Sequence, residues 1–100
     1  MSEKVFRHVV FRGRVQGVGF RDFVLEEAGQ QGLEGWVRNR ADRVSVEAVF
    51  AGPREVVATV IEVCRMGPPA ARVDALDQRD GTPEELKLGQ PGSFVRLQTV

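Results

Sequence analysis

Between residues 12 and 20 the chain changes its period. Val5, Arg7, Val9 and Phe11 alternate with Phe6, His8, Val10 and Arg12, the two-residue repeat of a strand of about eight to ten residues with one face more apolar. From Phe20 onward, Phe20, Phe23, Val24 and Ala28 recur at helical spacing up to Gln31. The change falls on GRVQGVG, residues 13–19, which holds Gly13, Gly17 and Gly19. Glycine inside a strand or helix costs roughly 0.5–1 kcal/mol. Here it marks a tight turn whose backbone must come close to something.

The rest of the chain repeats the plan. Gly32 sits where a helix ends in a left-handed residue. Residues 33–40 (LEGWVRNR) read as a second strand, and Ala41-Asp42 as a turn. Val44, Val46, Ala48 and Phe50 alternate with Arg43, Ser45 and Glu47, which predicts a half-buried third strand paired with the second as a hairpin. Gly52-Pro53 opens a second helix, with proline in its first turn, whose apolar stripe is Val56, Val57, Val60, Ile61 and Cys64. Gly67-Pro68-Pro69 stops it. Ala71, Val73 and Ala75 suggest a fourth strand, and Asp80-Gly81 a turn. Thr82-Pro83-Glu84-Glu85 reads as a capped single helical turn, and residues 93–98 as a closing strand at a sheet edge. The order β-α-β-β-α-β predicts an α+β, ferredoxin-like sandwich, an antiparallel sheet with two helices on one face. Such a plan hosts many functions, so chemistry must be argued from residues.

The chain has 100 residues and is 42% hydrophobic, which suits a single domain over 1–100 with its own core. Net charge is zero, which argues against a general nucleic-acid or membrane-surface binder. Basic residues nevertheless collect before the helix: Lys4, Arg7, Arg12, Arg14 and Arg21, with no acid among them. Arg38 and Arg40 add to that local field, which attracts anions. The acids from Asp74 to Glu85 lack metal-ligand spacing and read as a solvated loop. Cys64, the one cysteine, cannot form a disulfide within the chain and lies on the apolar stripe as a core residue. His8 has no Cys or second His partner and reads as a sheet-face histidine; Trp36 reads as a packing anchor. The first residues lack an apolar run of signal-peptide length, and no segment approaches 18 apolar residues, so a cytoplasmic protein is expected.

A helix N-terminus offers free N–H groups and a partial positive charge, and a glycine loop before it lets those groups converge on an oxyanion. Arg21 falls in the first helical turn, where its planar fork can grip two phosphate oxygens. No Gly-Lys-Ser/Thr follows, so this is not a Walker loop; Gly17-Val18-Gly19 lacks the third glycine of a dinucleotide fingerprint. A small phosphate-bearing ligand fits better than a nucleotide.

GRVQGVGFR followed by GLEGWVRN closely resembles the acylphosphatase signature, and the likeness continues through Asp42, Gly52-Pro53 and GPPAARV, residues 67–73. The resemblance implies hydrolysis of carboxyl–phosphate mixed anhydrides to a carboxylate and inorganic phosphate. It implies no metal, no cofactor and no covalent intermediate. It places the catalytic arginine on Arg21 and the catalytic asparagine on Asn39. Gln16, Gly17, Val18, Gly19 and Phe20, with Arg21, become the phosphate-binding loop. The physical reading agrees. An acyl phosphate already carries a good leaving group, so phosphoryl transfer needs mostly positioning and charge stabilisation. Asn39 can orient a water but cannot act as a base at neutral pH. The family mechanism assigns the proton to the substrate's own phosphate.

Partners expected on this reading are a small-molecule acyl phosphate and the product phosphate, with no nucleic acid, no membrane and a monomeric state. Two other readings compete. The N-terminal domain of hydrogenase-maturation carbamoyltransferases is similar too, but that reading expects zinc-finger cysteines and a long continuation. An RNA-recognition module expects an aromatic-rich central strand pattern that is absent here. Two departures from the family pattern stand out: Asp42-Arg43 replaces the usual Asp-Gly of the hairpin turn, and residues 78–92 are longer than the pattern leads one to expect.

Overall fold

The computed structural model describes residues 3–100; Met1 and Ser2, which open the segment read above as lacking a leader, lie outside the described residues. The order is β1 (Lys4–Arg14), α1 (Phe20–Gln30), β2 (Glu34–Asn39), β3 (Ser45–Pro53), α2 (Arg54–Met66), β4 (Arg72–Asp80), α3 (Pro83–Leu86) and β5 (Phe94–Arg96). The sheet runs β4-β1-β3-β2-β5. The first four of these neighbours pair antiparallel, as expected, but β5 lies parallel to β2, so the closing edge is not antiparallel. It is held there by Phe94, whose ring stacks on Phe50 at 5.4 Å.

Both long helices cover one face. Phe20, Val24 and Ala28 of α1 and Val57, Val60, Ile61 and Cys64 of α2 join Val9, Phe11, Val37, Val46, Ala48 and Phe50 in one core. Each fully buried valine, isoleucine or phenylalanine among them contributes about 1.5–3 kcal/mol from water exclusion. Gly32 takes φ 71 just past α1, the left-handed stop read from the sequence. Pro53 is not in the first turn of α2 but ends β3 and serves as the helix's N-cap. The opposite face of the sheet is partly roofed by α3. Thr82 and Glu85 form a reciprocal capping box, and Trp36, 1% exposed, donates its indole N–H to the Glu85 carbonyl at 2.7 Å. Residues 78–92 thus complete β4 and then form this roof.

Three further expectations need correcting. First, β3 is buried on both faces, because it is central in the sheet and α3 reaches its outer side; Val49 and Ala51 are as enclosed as Val46 and Ala48. Second, Val44 is exposed and Ser45 buried, the reverse of the alternation. The Asp42 carboxylate accepts from the Val44 and Ser45 N–H groups and from the Ser45 hydroxyl, which satisfies a buried serine and leaves Val44 in the turn. Third, a register shift between Arg12 and Gly13 puts a bulge into the β1–β4 pairing, so Leu76 rather than Ala75 turns toward the core. The acids of β4 are therefore strand residues, not a solvated loop: Asp80 accepts from Arg7 at 2.8 Å and Asp77 from Arg12 at 3.0 Å.

Candidate active site

The corner between β1 and α1 is rooted by two buried side chains. Val15 is 1% exposed, and Phe20 packs its ring against the edge of Phe11 at 5.1 Å. Between them Gly17 and Gly19 take φ 74 and 80, a left-handed conformation in which a side chain is unfavourable. Gly19 is the N-cap of α1; its carbonyl accepts from the Phe23 N–H at 3.0 Å, and no side chain caps the helix. Among the described residues, the N–H groups of residues 16–20 donate to no carbonyl and no side chain. A run of unpaired donors at a helix start is an anion site in waiting.

A small cavity of about 140 Å³ opens at this corner, lined by Val15, Gly17, Gly19, Phe20, Arg21, Asp22 and Arg96. It is smaller than the roughly 300–1,000 Å³ of drug-sized ligand sites and suits a phosphoryl group. Arg21 is half-buried and forms no ion pair with any described carboxylate. Gln16 and Val18 do not line the cavity. Val18 packs against the core, and the Gln16 side-chain amide donates to the Arg40 and Ser45 carbonyls, both at 2.8 Å. Gln16 thereby ties the glycine loop to the turn at 40–44, and the Gly13 N–H adds a bond to the Val44 carbonyl at 3.0 Å.

That tie brings Asn39 alongside. It is the last residue of β2, 9% exposed, and its Oδ1 is buried with no hydrogen-bond partner among the described residues. Its main chain is held from the other side by the tail, where the Val100 N–H donates to the Asn39 carbonyl at 3.2 Å and the Leu97 N–H to the Val37 carbonyl at 2.9 Å. Asn39 is not in the cavity lining; it precedes Arg40, whose carbonyl the Gln16 side chain binds.

Two residues of this corner escaped the sequence reading. Arg96 of β5 reaches Asp22 of α1 at 2.6 Å, an exposed pair that sets a second guanidinium in the cavity wall. Their separation of 74 positions leaves no local signal. Arg38, credited above with adding to the loop's field, belongs elsewhere. It donates to Glu47 at 2.8 Å and its guanidinium lies 4.6 Å over Trp36, on the sheet's other face. Glu47 also meets His8 at 2.7 Å. Burial alone would raise the Glu47 carboxyl, but the hydrogen bonds and charges of His8 and Arg38 together hold it below the usual range. Cys64 is enclosed, and burial pushes its thiol up to about 12, so it is inert as a nucleophile.

The acylphosphatase family model matches residues 7–90. An acylphosphatase of Rhodopseudomonas palustris is 54% identical over 97 residues, covering 96% of this chain and 97% of that one. The crystal structure of acylphosphatase from Bacillus subtilis superposes with a TM-score of 0.80 at 32% identity, covering 93% of this chain and 98% of that one. Full-length HypF, solved in a phosphate- and nucleotide-bound form, matches with a TM-score of 0.82 at 25% identity; the match covers 99% of this chain but 12% of HypF.

Proposed function

The chain belongs to the acylphosphatase family and hydrolyses acyl phosphates, and on that premise we propose that the β1–α1 corner holds the phosphoryl group while Asn39 orients the attacking water. The N–H groups of Gln16, Gly17, Val18, Gly19 and Phe20 and the guanidinium of Arg21 bind the three equatorial oxygens. Water adds to phosphorus, the bond from phosphorus to the acyl oxygen breaks, and the carboxylate leaves. The proton of the water ends on the phosphate. Charge shifting onto the oxygens is met by donors that are already aimed and need no reorganisation. Asn39 Oδ1 accepts from the water, fixing its lone pair toward phosphorus. The observation that carries this reading is a row of uncommitted backbone donors beside an arginine that has no carboxylate partner.

Arg21→Gln tests it. The variant should keep the fold and lose at least about a thousandfold in hydrolysis of benzoyl phosphate. Wild-type turnover by that variant would overturn the assignment. The cations of the site are arginines, so the reaction as proposed takes no metal and no cofactor, and a chelator should leave the rate unchanged. We take the enzyme to act as a cytoplasmic monomer on a small molecule, without nucleic acid or membrane. What supports that reading is that the basic strip of β1 is neutralised by β4: Arg7 and Arg12 are spent on Asp80 and Asp77. The likeness to HypF concerns a small share of a larger chain, whereas the acylphosphatases above match over nearly their whole length, which favours hydrolysis over carbamoyl transfer.

A further inference from the structure

Gln16 belongs to the glycine loop by its backbone and to the β2–β3 hairpin by its side chain. Pairing between β1 and β3 runs as far as Arg12 and Ser45 and stops there. Past that point the chain is rejoined to the hairpin by main chain and side chain together. The Gly13 N–H donates to the Val44 carbonyl at 3.0 Å, and the Gln16 carboxamide nitrogen donates to the Arg40 and Ser45 carbonyls, both at 2.8 Å. An amide nitrogen carries two hydrogens. Both are committed to main chain here, so this side chain has none left for a phosphoryl oxygen.

The carbonyls it binds lie next to Asn39 in the hairpin. The Ser45 carbonyl also accepts from the Arg40 N–H at 3.1 Å, which belongs to the peptide immediately after Asn39, and Asn39 itself pairs with Val46 in the β2–β3 register. The Asn39 side chain forms no hydrogen bond with any described residue, so its aim follows from its backbone. The turn keeps its own shape by other means. The Asp42 carboxylate accepts from the Val44 and Ser45 N–H groups and the Ser45 hydroxyl. Arg43 takes a left-handed φ of 69, and its N–H donates to the Arg40 carbonyl at 3.2 Å. What Gln16 adds is the relation of that turn to the loop.

We infer that the Gln16 side chain is a positioning residue for the hydrolysis: it sets the spacing between the amides that hold the phosphoryl group and the carboxamide that holds the water. The inference rests on the roles proposed above for the loop and Asn39, and adds the group that fixes one against the other. Gln16 and Arg40 are 24 positions apart, so the covalent chain does not fix that spacing. The water must meet phosphorus in line with the leaving oxygen, and a misplacement of about 1 Å costs on the order of a hundredfold in rate.

The test is a double-mutant cycle of Gln16→Met and Asn39→Ala, read by kcat for benzoyl phosphate and by Ki for inorganic phosphate. Methionine keeps the length of glutamine without its donors, and both carbonyls retain a backbone partner, so the variant is expected to fold. Its kcat should fall about tenfold to a hundredfold, while Ki for phosphate, which reads the loop amides and Arg21, stays within about twofold of wild type. In the Asn39→Ala background the same substitution should cost less than about twofold in kcat, because the water is no longer held there. Gln16→Asn, whose amide stops a methylene short, should lose turnover in the same way, and takes the place of Gln16→Met in the cycle if methionine impairs folding. A wild-type kcat in the Gln16 variant, a loss that persists in full beside Asn39→Ala, or a Ki that weakens in step with kcat overturns the positioning role. Failure of the underlying reading looks different: Asn39→Ala alone would then turn over at the wild-type rate, and Gln16 would have no water to place.

Discussion

Asn39 is where stability and activity should pull in opposite directions. Its Oδ1 is buried with no partner among the described residues. A buried acceptor left unsatisfied costs about 1–3 kcal/mol. Truncation by Asn39→Ala removes that penalty and forfeits roughly 1 kcal/mol for the vacated volume. Asparagine and alanine are both poor strand formers, so the backbone term nearly cancels. The expected balance is a gain of about 1 kcal/mol, which at this chain length raises Tm by about 4–8 °C. The same substitution removes the acceptor that aligns the water, and loss of one preorganised hydrogen-bonding group costs about 10²–10³ in turnover. The assay is paired: thermal unfolding by circular dichroism, and steady-state hydrolysis of benzoyl phosphate. A variant that melts lower than wild type and still hydrolyses at the wild-type rate refutes the reasoning, because Asn39 would then be an ordinary turn-side asparagine whose oxygen is not held in reserve for water.

Gly19→Ala places a methyl where nothing lies within 4 Å, so its cost is conformational; unfolding free energy should fall by about 1 kcal/mol in urea titrations. Inhibition by inorganic phosphate should weaken in the same variant, since the loop donors no longer converge. Arg43→Gly should raise the unfolding free energy in urea titrations by about 0.5 kcal/mol once relief of the left-handed strain is set against the greater freedom of glycine in the unfolded chain. Glu47 predicts an acid limb. Its folded pKa is depressed, so its contribution is present above the ordinary glutamate value, about 4.3, and is lost as pH falls through the lower folded value. Stability measured from pH 5 downward should therefore decline in wild type and decline less steeply in Glu47→Gln, where the lowered carboxyls of Glu34, Asp42 and Glu85 remain; equal slopes would show that the His8–Glu47–Arg38 network does not contribute to the acid limb.

Elements whose signal is local were legible without coordinates. The switch of period at residues 13–19, the stripe of α2, the stop at Gly32 and the capped turn at Thr82 all depend on neighbours within a turn or two, and all stand where they were read. The position of the glycine corner, with Arg21 in the first turn after it, was legible for the same reason, because a strand, a turn and a helix start are contiguous. Asn39 was reached only through the family signature, since a lone asparagine near a turn carries no chemistry of its own.

What needed the tertiary structure was every relation across the sheet. The β4 acids look like a solvated loop until antiparallel pairing sets Asp77 and Asp80 against Arg12 and Arg7. The bulge after Arg12, the parallel seat of β5, the Arg96–Asp22 pair and the removal of Arg38 to the far face are likewise invisible in a linear string. The composition stated how many arginines there are. Only register decided which of them are neutralised, because an ion pair forms at a few ångströms and sequence separation does not report that distance.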